Sequence, residues 1–363
     1  MPYLTTRTRR RWAAAVAVVA GTVGTIAAGS PAPAAEPSFH VIKTVDVAVN
    51  PFGDTTSPDG RTVWVANCGP LTGHAGTEGH TVTVLDARTD ARQSVIDVGV
   101  FPEDIAFTHH GQQAFVTNST SDTVSVIDTA TRRVTQTIDL SGIPITFPFG
   151  VIGTLDSRKV YVVSIGEASD RTIAVLDDSD PAHVTLASTI TLPGFGGRPA
   201  LTPNGRTLVV PFGNGTDNTP RAVLIDTRTD HVFAQLTLAG GSGASQAVTV
   251  TPDGRFAYVS IFGYPPAPTG TVWVIDLARR ATKTVIPTPD SGNEGINISP
   301  NGRFVFVTDF LTAQVSVIDT HSNRLIVNIP VGSEPNETAF TPDGHKAFVT
   351  NQGDTTVSVV SIP

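Results

Sequence analysis

Cysteine is almost absent. Cys68 stands alone in 363 residues, so no internal disulfide can form and stability must come from packing and strand pairing. Charge is scarce too: Asp, Glu, Lys and Arg make up only 15% of the chain and the mean hydropathy is +0.07, which excludes a disordered chain. Basic residues are the minority, 24 against 32 acids, so there is no general electrostatic pull toward nucleic acid or anionic lipid. Recognisable catalytic signatures are missing. There is no Gly-x-Ser-x-Gly elbow, no phosphate-binding glycine loop, no His-Glu-x-x-His and no Cys-x-x-Cys. A Ser-His-Asp set assembled only by folding stays open.

What is present begins with an export pattern. Arg7, Arg9, Arg10 and Arg11 form a basic head, Ala13 to Ala28 is an uncharged apolar run, and Ala32-Pro33-Ala34 offers small residues to a signal peptidase. The run has 16 residues, short of the roughly 20 of a membrane-spanning helix. Residues 1–34 therefore read as a signal peptide, and Thr8-Arg9-Arg10-Arg11-Trp12 fits a twin-arginine signal as well as the general route. Losing those four arginines moves the formal net charge from −8 to −12. A secreted or extracytoplasmic location follows, with no membrane anchor left after cleavage.

Gly 33 and Pro 27 suit many short strands and turns, and an internal repeat supplies them. Thr341-Pro-Asp-Gly-His-Lys-Ala-Phe-Val-Thr-Asn351 has counterparts beginning at Ser57, Thr251 and Ser299. The turn glycine recurs at Gly60, Gly111, Gly205, Gly254, Gly302 and Gly344, with Ser157 in its place in a third copy; the steps run from 42 to 51 residues. That period, without 3.6-residue apolar spacing, points to propeller blades. Each copy reads as four strands: one before the turn, one like Phe348-Val-Thr, one like Thr123-Val-Ser-Val-Ile-Asp128, and one like His231-Val-Phe-Ala-Gln-Leu-Thr-Leu238. The aspartates ending the third strand read as turn-closing groups. The seventh copy stops without a fourth strand, whereas Phe39 to Val47 is a fourth strand with no copy before it. The expected architecture is an all-β, seven-bladed β-propeller of four-stranded antiparallel blades over 35–363, its ring closed by the N-terminal strand completing the last blade.

These units resemble the YVTN-repeat β-propeller family: Phe115-Val-Thr-Asn118 and Phe348-Val-Thr-Asn351 match with Phe for Tyr, Trp64-Val-Ala-Asn67 and Phe306-Val-Thr-Asp309 nearly so, and Val209-Val-Pro-Phe212 departs most. The resemblance implies the fold and an extracytoplasmic setting. It leaves function open, since similar rings include surface-layer proteins, binding proteins, lactonase-like hydrolases and a lactone-opening lyase. No catalytic residue of those enzymes maps here.

In such a ring the first strands line the channel, and the loops before them share a face with those after the second strand. The channel-mouth residues are then Phe52, Asp54, Glu103, Asp104, Phe149, Arg198, Ser245, Gln246, Asn293, Glu294, Asn336 and Glu337. Glu103, Glu294 and Glu337 could converge on a divalent cation, Ca²⁺ or Mg²⁺. One of them could instead serve as a general base, or they could be hydrated or paired with Arg198. The glycine-rich stretch Asn67 to His80 carries Cys68, His74 and His80, a donor set for zinc or copper without a recognised spacing, or a surface loop with a free thiol. Phe262 and Tyr264 could stack on a flat or sugar-like ligand or pack among prolines. His109-His110 replaces Pro-Asp in the second turn and reads as a turn variant. The leading expectation is a monomeric binding module for a protein, glycan or small molecule, with no nucleic acid partner. The rivals are a metal-assisted hydrolase or lyase acting on a lactone or ester, and a cell-envelope structural module.

Overall fold

The computed structural model describes residues 38–69, 79–166, 171–213, 219–238, 243–263, 270–289 and 292–363. The signal-peptide segment, His74 and Tyr264 lie outside the described residues. The unit Pro37–Pro363 contains seven separate sheets, and each blade takes four consecutive strands except the last. The innermost strands are Pro51–Thr56, Pro102–Thr108, Pro148–Gly153, a broken Phe195–Gly196 and Ala200–Leu201, Ala244–Val250, Asn293–Ile298 and Pro335–Phe340, for blades 1 to 7 in that order. In the last blade, His40–Asp46 pairs antiparallel with Thr356–Ser361, Val45 opposite Val357. The N-terminal strand therefore completes blade 7, as the sequence requires. Val45 and Val47 pack with Phe348 and Val357 of blade 7 and with Val63, Val65 and Leu85 of blade 1, so the seam is filled by the same aliphatic contacts as other blade interfaces.

The repeated residues explain the repeat. Second and third strands are buried on both faces because each sheet is covered by a neighbour on either side, which is why they read Val-x-Val without polar alternation. Fourth strands lie outermost and alternate, as in His231–Thr237. The Thr of Val-Thr-Asn reaches across to the next blade: Thr117 Oγ1 donates to the Phe149 carbonyl at 2.6 Å, Thr308 to Asn336 at 2.7 Å and Thr350 to Phe52 at 2.6 Å. The Asn works within its own blade. Asn351 Nδ2 donates to Thr356 Oγ1 and Ser358 Oγ, both at 2.9 Å, and Asn118 does the same to Thr123 and Ser125 at 3.1 and 3.0 Å. Each third-strand aspartate closes the turn that follows, for example Thr131 N–H onto Asp128 Oδ1 at 2.7 Å.

The Pro-Asx-Gly turns pack on one another. Gly344 takes φ +73°, and the preceding Thr341 Oγ1 donates to Asp343 while accepting the Lys346 N–H at 3.1 Å. Most turn glycines face the proline of the blade before them: a Cβ at Gly60, Gly111 or Gly302 would come within 3.1, 3.0 and 2.8 Å of Pro342, Pro58 and Pro252, whereas Gly205 faces Leu155, which replaces the proline of blade 3. Two other departures from the pattern meet at one such interface. His109 stands for the proline of blade 2 and Ser157 for the glycine of blade 3, and the His109 N–H donates to Ser157 Oγ at 2.7 Å. His109–Gly111 is a short 3-10 turn, and His109 Nε2 lies 3.2 Å from the buried Asp178 carboxylate. Blade 4 differs from the expected continuous first strand. Pro199 has no N–H, and Pro211 offers the facing strand only its carbonyl, which accepts the Gly197 N–H at 2.8 Å. The ladder breaks around Gly197-Arg198-Pro199, and Arg198 leaves it to pair with Ala247 of blade 5 through a parallel bridge.

Candidate functional site: a guanidinium in a ring of carboxylates

Counting back from the turn residue places two rings of side chains in register around the channel. Eight residues before it stand Phe52, Glu103, Phe149, Gly197, Gln246, Glu294 and Asn336; one further on stand Gly53, Asp104, Gly150, Arg198, Ala247, Gly295 and Glu337. Four positions of the second ring are Gly or Ala, and there adjacent backbones touch. A Cβ at Gly53 would lie 2.2 Å from the Glu103 carbonyl, and one at Gly295 would lie 2.3 Å from that of Asn336. The charged residues of that ring, Asp104, Arg198 and Glu337, sit where the small ones leave room.

Arg198 is the centre. It is 6% exposed; its Nε lies 3.2 Å from Glu337 Oε2, and Nη2 donates to Asn336 Oδ1 at 3.0 Å. Its guanidinium lies 4.7 Å from the Phe149 ring centroid and 5.1 Å from that of Phe52, and those rings meet edge to face at 6.1 Å. Nη1 has no hydrogen-bond partner among the described residues. Burial would lower the arginine's pKa, but Glu337, Asp104, Glu294 and Glu103 outweigh it and keep the side chain charged.

The carboxylates differ in their support. Asp104 accepts the N–H groups of Ile105 and Val151, both at 2.9 Å. Glu337 Oε1 accepts from Asn297 Nδ2 at 2.8 Å and from the Thr338 N–H at 3.1 Å. Asp54, 5% exposed, has neither oxygen in a hydrogen bond of ordinary geometry; the Ala339 N–H only slightly offsets its upward shift. Burial, then the nearby Glu337, push its pKa well above the usual carboxylate value. Burial likewise raises Asp104, and it raises Glu103, Glu294 and Glu337 to about 7 each, with Arg198 pulling all of them back down. Glu294 keeps partial solvent access; Glu103 and Glu337 are 4% and 3% exposed.

Below the charged ring, on the turn side, lies a cavity of about 340 Å³. Asp54, Asp104, Arg198, Asn297 and Glu337 line its apex, and its walls are mixed, with Thr55, Thr56, Ala106, Phe107 and Ile152 as far as Pro58 and Gly153. None of the residues from the loop-side ring lines it.

The sequence-predicted set thus divides. Asp54, Asp104, Arg198 and Glu337 come together at the cavity apex, with Asn336 tied to Arg198. Glu103, Glu294 and Gln246 occupy the loop-side ring, where the Gln246 backbone carbonyl accepts the Arg198 N–H at 2.8 Å. Asn293 turns toward blade 5, donating to Thr288 Oγ1 at 2.8 Å and to the Thr271 carbonyl at 3.2 Å. Ser245 Oγ faces blade 4 instead, accepting the Arg221 N–H at 3.1 Å. Glu103, Glu294 and Glu337, expected as Ca²⁺ or Mg²⁺ donors, act on a cation of the chain itself, Arg198, and among the described residues no group of three or more His, Cys, Asp or Glu is arranged to hold a metal ion. Of the expected donors Cys68, His74 and His80, His74 lies outside the described residues. Cys68 is fully buried against the Pro102 carbonyl, burial pushes its thiol pKa well up, and His80 is exposed at the strand edge. Asn297 was missed. Its signal was its place, five residues before Gly302 on an innermost strand, where the other copies carry Thr, Ala or Ile.

No protein-family model matches this chain. Among curated proteins it is 24% identical over 294 residues to Antigen Lp49 of Leptospira interrogans, covering 73% of this chain and 56% of that protein. It is 29% identical over 259 residues to the seven-bladed beta-propeller protein Rv1057 of Mycobacterium tuberculosis, covering 71% of this chain and 59% of that one. The chain is a seven-bladed β-propeller. It spans under two thirds of the length of both relatives. A Kuenenia stuttgartiensis hydrazine synthase chain superposes with a TM-score of 0.76 at 23% identity, over 88% of this propeller and 97% of that chain, a likeness of fold alone.

Proposed function

We propose that this propeller is an exported, YVTN-type binding protein that works as a monomer and takes a small molecule into its central channel. One observation carries the reading: among the described residues, buried polar atoms of Asp54 and Arg198 have no hydrogen bond of ordinary geometry at the apex of a cavity. Buried donors and acceptors are costly to leave unpaired, about 1–3 kcal/mol each, so a site that keeps them is best understood as completed by a ligand. A protein or glycan on the loop face is the partner class this reading sets aside, and nucleic acid is disfavoured by the acidic charge. Export is supported by the basic head, apolar run and small-residue site of residues 1–34.

The test has two arms. A thermal-shift screen of a metabolite library should give ligands whose stabilisation is lost in Arg198→Met, and ligands indifferent to every channel substitution would refute the channel reading. Fractionation of a bacterial host should recover the chain outside the cytoplasm, starting near Ala35. Recovery of intact, uncleaved chain in the cytoplasm would refute export.

A second reading has its own support. Glu337, with a pKa of about 7 beside Arg198, has the properties of a general acid or base next to a charge that could stabilise an oxyanion. Lactone or ester turnover abolished by Glu337→Gln would establish it.

A further inference from the structure

The polar apex specifies the kind of molecule the cavity takes. Its charges are unequal: Asp54, Asp104 and Glu337 face one guanidinium, and Glu103 and Glu294 act on that same guanidinium from the loop side. An anionic ligand would meet more acid than base. Arg198 is committed through Nε and Nη2 to Glu337 and Asn336, and Asp104 to two backbone N–H groups. Asp54 is different: among the described residues neither of its buried oxygens has a hydrogen bond of ordinary geometry, and the residue lines the cavity. A donor carrying positive charge would hold Asp54 in the ionised form that burial disfavours and would relieve the excess of acid.

The walls fix the rest. Below the apex the lining is mixed, with Ala106, Phe107 and Ile152 beside Thr55 and Thr56, so the body of the ligand is a small organic group that is partly apolar. The volume, about 340 Å³, is at the small end of ligand pockets. Access is from the turn face, past Pro58 and Gly153, because Phe52 and Phe149 lie on the loop side of Arg198.

We propose that this cavity binds a compact organic ammonium ion, its N–H groups donating to Asp54 and its body lying against Ala106, Phe107 and Ile152. The proposal rests on the reading that the channel holds a small ligand. It adds the ligand's charge, the residue that reads it and the face by which it arrives.

Three probes share one apolar body: phenethylammonium, 2-phenylethanol and 3-phenylpropionate. Calorimetric titration of the whole protein should show the ammonium ion binding at least about tenfold tighter than the alcohol, with no binding of the carboxylate. Asp54→Asn should weaken the ammonium ion at least about tenfold, whereas Asp97→Asn, at an exposed outer-strand acid, should leave it unchanged. Ala106→Phe, which fills the cavity without altering a charge, should abolish binding and serves if Asp54→Asn fails to fold. Carboxylate binding as tight as that of the ammonium ion, or an ammonium affinity insensitive to Asp54→Asn, overturns the proposal. If the alcohol or carboxylate binds best and Ala106→Phe blocks it, the channel reading stands and the ammonium inference falls. If none of the three binds and no library ligand responds to Ala106→Phe, both fall.

Discussion

Replacing Arg198 by Met keeps an unbranched side chain between Phe52 and Phe149 but removes the charge that Glu337 faces at 3.2 Å. Breaking a buried ion pair from one side costs about 3–5 kcal/mol, because the remaining charge is stranded. The stranded group has an escape here. Glu337 already titrates near 7 with Arg198 pulling it down, so without Arg198 it rises further and takes up a proton. At pH 5 Glu103, Glu294 and Glu337 are largely protonated in both proteins, and the variant loses little or even gains, since a buried guanidinium is then short of partners. At pH 8 the parent carries ionised carboxylates balanced by Arg198, while the variant must hold a proton or bury an uncompensated charge, at about 1.4 kcal/mol for each pH unit forced. The deficit of Arg198→Met should therefore widen with pH, reaching a melting temperature about 5–10 °C below the parent at pH 8. Scanning fluorimetry between pH 5 and 8, with circular dichroism to confirm the fold, measures it. A deficit that is constant with pH, or largest at pH 5, would refute the account of Arg198 as the counter-charge of the ring.

The parent should itself lose stability as pH rises from about 4.5 to about 7. Acids whose folded pKa is raised favour the native state while protonated, and that advantage goes as pH climbs through the folded value; melting at pH 5 below that at pH 8 would contradict it. Deleting Ser38 to Val47 exposes the edge of Thr356–Ser361 and empties the Val45 and Val47 sites at the seam, so the melting temperature should drop sharply, and an unchanged value would show that the ring does not depend on this closure. Gly295→Ala pushes a Cβ to 2.3 Å from the Asn336 carbonyl, and thermal melts should show a loss of about 2 kcal/mol or more; a neutral result would mean that blades 6 and 7 can part without cost.

The fold was legible because its causes are local and repeated. A Pro-Asx-Gly turn, a Val-Thr-Asn strand and a Thr-x-Ser strand each make their bonds within one blade or to the next, so every copy carries the signal anew. The closing strand was legible too, as the fourth strand that copy seven lacks. The channel residues could be named because each lies at a fixed distance from its turn. Their partnerships could not. Which inner-strand side chains face the channel and which face a neighbouring blade depends on register and local breaks. Asn293 and Glu294 are adjacent in sequence yet part there, and Arg198 stands where the first-strand ladder of every other blade shifts register, a shift that in blade 4 becomes a break around Pro199. The sequence by itself determined seven blades, their strands and the seam between residues 39–47 and 356–361. Only the tertiary structure decided that five carboxylates share one guanidinium, that this cation stands where a metal was expected, and that the cavity opens on the turn side. Charges separated by tens to hundreds of residues acquire their pKa values only once the ring has brought them within a few ångströms and excluded water.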